Sequence, residues 1–179
     1  MKLHLDNTSL ASIDTDCLVV GVCEGDSLSP AATAVDKATG GSIGRMIESG
    51  DIESGLGKTS LLHGLPGLGA RRVLTVGFGK SEKLNLARFD RGCLAAGKAL
   101  RDFRFTECHV SIHDVVFDGG GPASRLRQAA LAIHRSNFLY TTTKSLKDDA
   151  PAPLTRASFQ GGPEMEEALG QAGAFAAGY

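Results

Sequence analysis

The sequence predicts an α/β fold in which a mixed β-sheet is flanked by helices. Apolar runs at residues 17–23 and 72–78 are rich in β-branched side chains, as is typical of strands buried on both faces. Helical patterns alternate with strands or strand pairs along the chain, which is the order of an α/β domain. The length of 179 residues suits one domain, since chains of this size bury about 70% of their surface on folding.

The first half of the chain contains two strands, two helices and then a strand pair. Ser29 and Pro30 begin the first helix, because Ser is a good cap and Pro is favoured in the first turn. Gly50 ends the second helix, and a Gly/Pro cluster separates the two later strands. The predicted strands are 2–5, 17–23, 59–63 and 72–78, and the predicted helices are 31–38 and 42–49.

The second half alternates helices and strands. Phe89, Cys93, Ala96, Leu100 and Phe103 recur at helical spacing and predict one apolar stripe on a long helix. A later helix is predicted to bury Leu126, Ala130 and Ile133. The predicted helices are 86–103, 123–140 and 164–179, the predicted strands are 107–113 and 154–159, and 144–153 is a predicted loop.

The strand at 107–113 alternates apolar and polar residues. Cys108, Val110 and Ile112 share one face, and His109, Ser111 and His113 share the other together with Glu107. We therefore expect one face of this strand to be partly solvated or near a sheet edge.

Composition excludes several classes of protein. Nineteen Lys and Arg against twenty Asp and Glu give a net charge of −1, which argues against a strongly cationic nucleic-acid binder. No stretch approaches the roughly 20 apolar residues of a membrane span, and the N-terminus is too polar for a signal peptide. The four cysteines form no CxxC pair, so they are predicted to be buried, reduced thiols of a cytoplasmic protein. A zinc site is the alternative.

Three glycine-rich strings could be taken for phosphate-binding loops. Gly55-Leu56-Gly57-Lys58-Thr59-Ser60 lacks the first glycine of a P-loop and precedes a strand, so we interpret it as a turn. Gly77-Phe78-Gly79-Lys80 ends a buried strand, and Gly119-Gly120-Gly121 precedes a helix. Both positions suit anions, but a tight strand-to-helix turn is the favoured interpretation.

The titratable residues form no catalytic constellation. His109 and His113 would lie about 13 Å apart along a strand, too far to share one metal ion. The acidic pairs and the Arg pairs are interpreted as solvated surface, so no catalytic, cofactor-binding or metal-binding residue is assigned. These pairs are Asp148-Asp149, Glu166-Glu167, Arg71-Arg72, Arg101 with Arg104, and Arg125 with Arg127.

An ordered set of strings resembles the N-terminal domain of bacterial leucyl aminopeptidases, the cytosol aminopeptidase family. The set comprises Leu28 to Ile43, Gly55 with Thr59, Leu61 and Leu62, Arg72 to Lys80, Arg127-Gln128-Ala129-Ala130, and the helix at 170–179. The resemblance covers essentially the whole chain in the family's order. Val-Gly-Phe-Gly-Lys after the strand, within that ordered set, is its most specific element.

The resemblance implies a macro-domain-like fold and a cytoplasmic, homohexameric parent that removes N-terminal residues from peptides. It implies two divalent metals, zinc or manganese, in a separate catalytic domain, where they would activate a bridging water. The signature Asn-Thr-Asp-Ala-Glu-Gly-Arg-Leu of that domain is absent from this sequence. No catalytic or metal residue is therefore carried over to this chain, and no cofactor is expected in it.

The resemblance also divides the chain. Residues 1–160 are expected to form the macro-like domain, and 161–179 the start of a helix leading to the catalytic domain. The expected role is non-catalytic, in subunit contacts and access to the active site, and the strand at 107–113 and the helix around 101–104 are the candidate contact surfaces. A macro-type ADP-ribose or nucleotide module, using 77–80 and 119–121, and a DNA-binding accessory domain are the alternatives. Cys23-Glu24-Gly25 offers no Asp at the end of the first buried strand, which weakens the nucleotide alternative.

Overall fold

A computed structural model describes residues 1–25, 28–137 and 153–177. Of the predicted loop at 144–153, residues 144–152 lie outside the described part of the chain, and only residue 153 belongs to it. Residues 138–140 and 178–179, which were predicted to extend two helices, also lie outside them. No helix in the described part of the chain is both long enough and apolar enough to cross a bilayer.

Among the described residues, six strands form one mixed sheet, and all six occur where the sequence predicts them, within a few residues. They are β1 (Lys2–Asp6), β2 (Leu18–Glu24), β3 (Thr59–His63), β4 (Arg72–Lys80), β5 (Glu107–Ser111) and β6 (Arg156–Gln160). Their order in the sheet is β1-β6-β5-β2-β4-β3. Five of them run parallel, and β3 pairs antiparallel with β4 at one edge.

Among the described residues, five α-helices flank the sheet, and local sequence explains where two of them start. The Ser29 hydroxyl accepts a hydrogen bond from the Ala32 amide at 3.2 Å, and Asn85 caps the third helix by accepting from the Arg88 amide. Short 3-10 turns lie at Ser81–Lys83, Ile112–Asp114 and Pro163–Met165. The helices are α1 (Pro30–Ala38), α2 (Ser42–Glu48), α3 (Leu86–Asp102), α4 (Pro122–Asn137) and α5 (Glu166–Ala177).

The sheet separates two apolar cores, because alternate residues of its strands point to opposite faces. On one face Val19 and Val76 pack with residues of α3, α4 and α5. On the other, Leu18 and Val20 pack with Val35 and Ile43 of α1 and α2. Every side chain from Leu18 to Cys23 that can contribute to a core is buried, as the apolar run predicted.

The expectation for residues 107–113 is wrong. β5 lies inside the sheet between β2 and β6, and every residue from Cys108 to His113 is buried. The strand ends at Ser111, and Ile112–Asp114 forms a 3-10 turn. Polar alternation suggested a wet face, but these polar side chains are covered by neighbouring strands and helices. The strand therefore offers no contact surface within the described structure.

α3 confirms most of the predicted apolar stripe, with an exception at its end. Phe89, Cys93, Ala96 and Leu100 are buried. Phe103 lies just past the last helical residue and is 48% exposed. Helical periodicity places a side chain correctly only while the helix continues, so this aromatic ring turns out to the surface.

Candidate functional site

The five parallel strands end at one edge of the sheet, which we call the carboxyl edge. In open α/β sheets, ligands bind in crevices beyond this edge. Two of the three glycine-rich strings of the sequence lie at this edge. Gly79 is near the end of β4, and Gly119 to Gly121 immediately precede α4. The two regions have very different surroundings.

At β4 the carboxyl edge is closed by the chain itself. Residues 54–58 run across the end of the strand, where the Gly57 amide donates to the Gly77 carbonyl at 2.8 Å. The Gly77 amide donates to the Lys58 carbonyl and the Gly79 amide to the Ser54 carbonyl. A Cβ at Gly77 would overlap the backbone of residues 54 and 55. We call this region, residues 54–58 with 77–80, the closed end.

The closed end decides how two of the strings are interpreted. The backbone amides of Gly77 and Gly79 are already paired within the protein, so they are not free to bind phosphate. Thr59, within the P-loop-like string, begins β3 rather than a helix. The interpretation of that string as a turn leading into a strand is therefore confirmed.

Farther along the same edge lies a cavity of about 450 Å³. It is bounded by the amino ends of α1 and α4, the end of β5 with its 3-10 turn, and the segment after β6. Most of its wall is apolar, with Leu10, Pro30, Ala31, Pro122 and Met165, but Arg125, His113 and Asp114 also line it. We call this region the cavity end.

Arg125 is held in place at the cavity end by backbone carbonyls. Its residue is only 7% exposed, although the sequence suggested solvated surface, so that expectation is wrong. Nε donates to the His113 carbonyl at 2.9 Å and a terminal nitrogen donates to the Gly120 carbonyl at 2.6 Å. The guanidinium also lies 5.9 Å from the centre of the Phe117 ring. No carboxylate of the described residues lies within ion-pair distance of it.

Asp114 places a carboxylate at the amino end of α1. Its Oδ2 accepts a hydrogen bond from the Ala31 amide, while Oδ1 is buried without a partner. Burial raises the pKa of this carboxyl to about 6, although the Ala31 amide, the Ser29 hydroxyl and Arg125 each lower it. The anion position that a helix amino end provides is thus occupied at α1 by the protein's own side chain.

His113 is the second buried titratable group in the cavity wall. It is 4% exposed, and its Nδ1 has no hydrogen-bond partner. Burial lowers the pKa of His113 to about 4, and a hydrogen bond with the Gln160 backbone opposes this shift. The ring is therefore neutral near pH 7. Since the nitrogen that donates to the backbone carries the proton, Nδ1 presents a lone pair.

His109 is a satisfied histidine of the interior. It is fully buried, with Nδ1 2.8 Å from the Ser158 hydroxyl and Nε2 3.0 Å from Gln160 Oε1. Burial lowers its pKa. Both of its partners belong to β6, so His109 links two neighbouring strands. It does not line the cavity, and the two histidines have separate surroundings.

The four cysteines are free and buried, as expected. Burial raises the pKa of Cys17 to about 12 and that of Cys93 and Cys108 well above the usual value. Thiols in this state are poor nucleophiles. Across residues 1–25, 28–137 and 153–177, no three His, Cys, Asp or Glu side chains are grouped closely enough to hold a metal ion.

The opposite, amino edge of the sheet carries a surface patch in which one aromatic ring, that of Phe103, is exposed and another, that of Phe105, is buried. Phe103 stands 6.4 Å from Phe105, and the guanidinium of Arg72 lies 5.6 Å from the Phe105 ring centre. With Leu61, His63 and Arg104, these residues line a surface hollow of about 430 Å³. We call this group the amino-edge patch. The patch includes the predicted helix end around 101–104.

Sequence reasoning missed the group at the cavity end. His113 was assigned to a strand, and Arg125 to the surface, while Asp114 was not singled out. The string Gly119 to Gly121 does lie beside the cavity end, because Arg125 donates a hydrogen bond to the Gly120 carbonyl there. The available signal was the polar His113-Asp114 pair directly after a buried strand, at the edge where α/β proteins place ligands.

Comparison with known proteins supports the family resemblance found in the sequence. A family model described as "Cytosol aminopeptidase family, N-terminal domain" matches residues 19–147. A Burkholderia cenocepacia protein named "Probable cytosol aminopeptidase" is 34% identical over 154 residues, which cover 86% of this chain and 31% of that protein. This chain thus spans about a third of the length of the curated relatives it matches.

Solved structures show the same fold. A mutant of tomato leucine aminopeptidase superposes with a TM-score of 0.74 at 19% identity, covering 99% of this chain and 36% of the other. The macrodomain of Mycobacterium tuberculosis DarG superposes with a TM-score of 0.60 at 13% identity, covering 90% of this chain and 99% of the macrodomain. The macro-domain-like fold is therefore confirmed.

Proposed function

Because this chain belongs to the cytosol aminopeptidase family and matches its N-terminal domain, we propose that it is the non-catalytic domain of a metal-dependent leucyl aminopeptidase. The parent would remove N-terminal residues from peptides in the cytoplasm. Its two divalent metals, manganese or zinc, would belong to a catalytic domain that this chain does not contain. We further propose that residues 1–160 form the domain and that 161–179 begin the connection.

The observation that carries this proposal is the coverage of the relatives. The chain corresponds to 31% of a full-length cytosol aminopeptidase. A two-metal site needs several carboxylates at short range. The described residues offer no group of three ligands, so they do not fit such a site. We therefore assign peptide hydrolysis to the remaining two thirds of the parent.

Activity measurements test the assignment. The purified chain, with Mn²⁺ or Zn²⁺, is expected to release nothing from leucyl p-nitroanilide, whereas the product of the complete gene should be active under the same conditions. Sequencing past codon 179 should reveal an open frame encoding Asn-Thr-Asp-Ala-Glu-Gly-Arg-Leu. Metal-dependent release by the chain alone, or a complete gene without that signature, would contradict the proposal.

We propose that the amino-edge patch is a subunit contact in the homohexameric parent, and that it also helps to frame access to the active site. Support comes from Phe103, a half-exposed aromatic ring flanked by Arg72 and Arg104. Aromatic and Arg side chains are enriched where interfaces gain most of their binding energy. The patch replaces the strand at 107–113, which is buried, as the preferred contact surface.

A matched pair of substitutions tests this role. Leu86 is the first residue of α3 and Phe103 directly follows its last residue, and both are 48% exposed. In the full-length parent, Phe103→Ser should dissociate the oligomer during analytical ultracentrifugation, whereas Leu86→Ser should leave it intact. Equal behaviour of the two variants would show that the patch makes no specific contact.

The fold of a macrodomain favours ligand binding as the second candidate function, since the likeness extends over 99% of the DarG macrodomain. Two features oppose a nucleotide: the amides of Gly77 and Gly79 are paired, and Asp114 occupies the amino end of α1. Calorimetric titration with ADP-ribose separates the functions, because micromolar binding would favour the second. A gel shift that weakens steeply with salt would instead support DNA binding.

A further inference from the structure

The strand β1 forms one edge of the sheet and pairs with β6 on one side only. The Lys2 amide donates to the Thr155 carbonyl at 2.8 Å, towards β6. Because the hydrogen-bonding groups of successive strand residues point to opposite sides, the backbone groups of Leu3 and Leu5 point away from β6. No strand of the described residues pairs with them. An open edge of this kind is a template for a further strand.

An apolar hollow of about 490 Å³ lies beside this edge, between β1 and α5. Leu3 and Leu5 are half-buried and pack against the core on that face of the sheet. They line the hollow together with Gly170 and Gly173 of α5, where a Cβ would meet no atom within 4 Å. The apolar side chains of an added strand would therefore find both apolar neighbours and free space there.

The residues of β1 are complementary to those of a second β1 that runs antiparallel. With a two-fold axis at His4, Leu3 lies opposite Leu5 of the second copy, and Lys2 lies opposite Asp6 of the second copy. Opposite charges that face each other across two strands are favourable, whereas like charges are unfavourable. A parallel second copy in the same register would place Lys2 beside Lys2, so the charges select the antiparallel arrangement.

The backbone of β1 fits the same register. In an antiparallel pair, residues directly opposite each other alternate between pairs that exchange two hydrogen bonds and pairs that exchange none. Since the backbone groups of Leu3 and Leu5 point outwards, these residues take the hydrogen-bonded positions. Lys2, His4 and Asp6 then fall at the other positions, where opposing side chains lie closer together. Backbone pairing and charge pairing thus agree on one arrangement.

We propose that this chain forms a two-fold dimer in which the β1 strands of two copies pair antiparallel and continue one sheet through both molecules. The contact is isologous, so it closes at two copies and covers the open edge of both. It lies at the opposite edge of the sheet from β3, whereas the amino-edge patch includes Leu61 and His63 of β3. The dimer goes beyond the proposed function and does not depend on it.

Exchange of the two charges tests the register. Sedimentation of the purified chain at increasing concentration should show a dimer. Lys2→Glu would place two acidic side chains opposite each other and Asp6→Lys two basic ones, so each variant alone should dimerise roughly tenfold more weakly. An equimolar mixture of the two variants restores opposite charges in both pairs and should recover the affinity of the wild type. This recovery requires both variants to be folded.

The matched control is Lys37→Glu, the same change of charge on an exposed residue of α1. It should leave dimerisation unchanged. Phe103→Ser, the variant of the amino-edge patch, should also leave this dimer intact.

Hydrogen exchange locates the contact within the chain. The amides of Leu3 and Leu5 point to the open edge, so they should exchange quickly in dilute solution and become protected as the dimer forms. The amide of His4 points towards β6 and should be protected at both concentrations. A dimer that forms elsewhere on the molecule would leave the exchange of Leu3 and Leu5 unchanged.

Four results would overturn the proposal. They are a chain that stays monomeric up to about 1 mM, a mixture that dimerises no better than either charge variant alone, a dimer without protection of Leu3 and Leu5, and equal loss of dimer in Lys37→Glu and Lys2→Glu. Hydrolysis of leucyl p-nitroanilide by the complete gene product is a separate measurement. A monomeric chain would leave the assignment of peptide hydrolysis untouched, and an inactive gene product would leave the dimer untouched.

Discussion

The closed end and the cavity end lie along the same edge of one sheet, and each includes or adjoins a glycine-rich string. At the closed end, residues 54–58 continue the antiparallel pairing of β3 and β4 and satisfy the amides of Gly77 and Gly79. At the cavity end, no segment of residues 1–25, 28–137 or 153–177 pairs with the strand ends in this way, and one buried polar atom each of His113 and Asp114 has no partner. Glycine alone therefore does not make a ligand loop; what decides is whether the chain already satisfies the backbone and side-chain groups there.

The most damaging substitution is expected at the closed end. In Gly77→Ala the new Cβ would overlap the backbone of residues 54 and 55, and the crossing segment would have to move. We expect a loss of about 3 kcal/mol in the free energy of unfolding, as is typical of overpacking against backbone. Urea unfolding measures it.

The control for this substitution lies beside the cavity. A Cβ at Gly121 would meet no atom within 4 Å. Gly121→Ala should therefore change stability by no more than about 0.5 kcal/mol. Similar costs at the two glycines would show that the crossing segment yields easily and that the closed end is not tightly built.

The next largest effect concerns two neighbouring titratable residues in the cavity wall. Burial raises the pKa of Asp114 from 3.8 to about 6, so protonation stabilises the fold below pH 3.8 and this stabilisation is lost as pH rises through 6. Burial lowers the pKa of His113 from 6.5 to about 4, so its contribution is present above pH 6.5 and lost as pH falls through 4. Between these pH values, Asp114 makes the free energy of unfolding fall as pH rises, whereas His113 makes it rise.

Single variants should expose each slope. Between pH 4 and 6.5, stability of Asp114→Asn should rise with pH relative to wild type, and that of His113→Gln should fall, each by about 2 kcal/mol. Denaturant unfolding at several pH values measures both. If stability depended on pH in the same way for wild type and both variants, the pKa of neither group would be shifted by folding. The cavity end would then not differ from the closed end in its buried titratable groups.

Much of the fold follows from the sequence, whereas the site follows only in part. The runs at 17–23 and 72–78 predicted β2 and β4 because burial on both faces leaves a continuous apolar signal. The sequence wrongly predicts a partly solvated face or an edge position for the strand at 107–113. His109 is instead buried inside the sheet, where it forms hydrogen bonds with Ser158 and Gln160, residues about 50 positions away along the chain. The sequence also wrongly assigns Arg125 to the solvated surface. Its partners are backbone carbonyls, which leave no mark in the side-chain pattern.

A smaller effect is expected at the cap of α1. Ser29→Ala removes the acceptor for the Ala32 amide, yet Asp114 still accepts from the Ala31 amide. The helix α3 has Asn85 as its side-chain cap, which accepts from the Arg88 amide. Asn85→Ala should cost about 1 kcal/mol and Ser29→Ala about half of that. The ratio is read from thermal unfolding, and an equal or larger cost for Ser29→Ala would deny that Asp114 shares the cap.

The smallest effect is expected at Lys80, an exposed cation of the closed end. A lysine after a glycine turn is the residue that sequence inspection would assign to an anion, so it gives the strictest test of the contrast. Lys80→Gln should change the free energy of unfolding by no more than about 0.5 kcal/mol, because this end of the sheet is closed by hydrogen bonds between backbone groups of residues 54–58 and 77–79. A clearly larger loss in urea unfolding would show that the Lys80 side chain itself takes part in closing this end of the sheet, and the closed end could then not be explained by its backbone pairing alone.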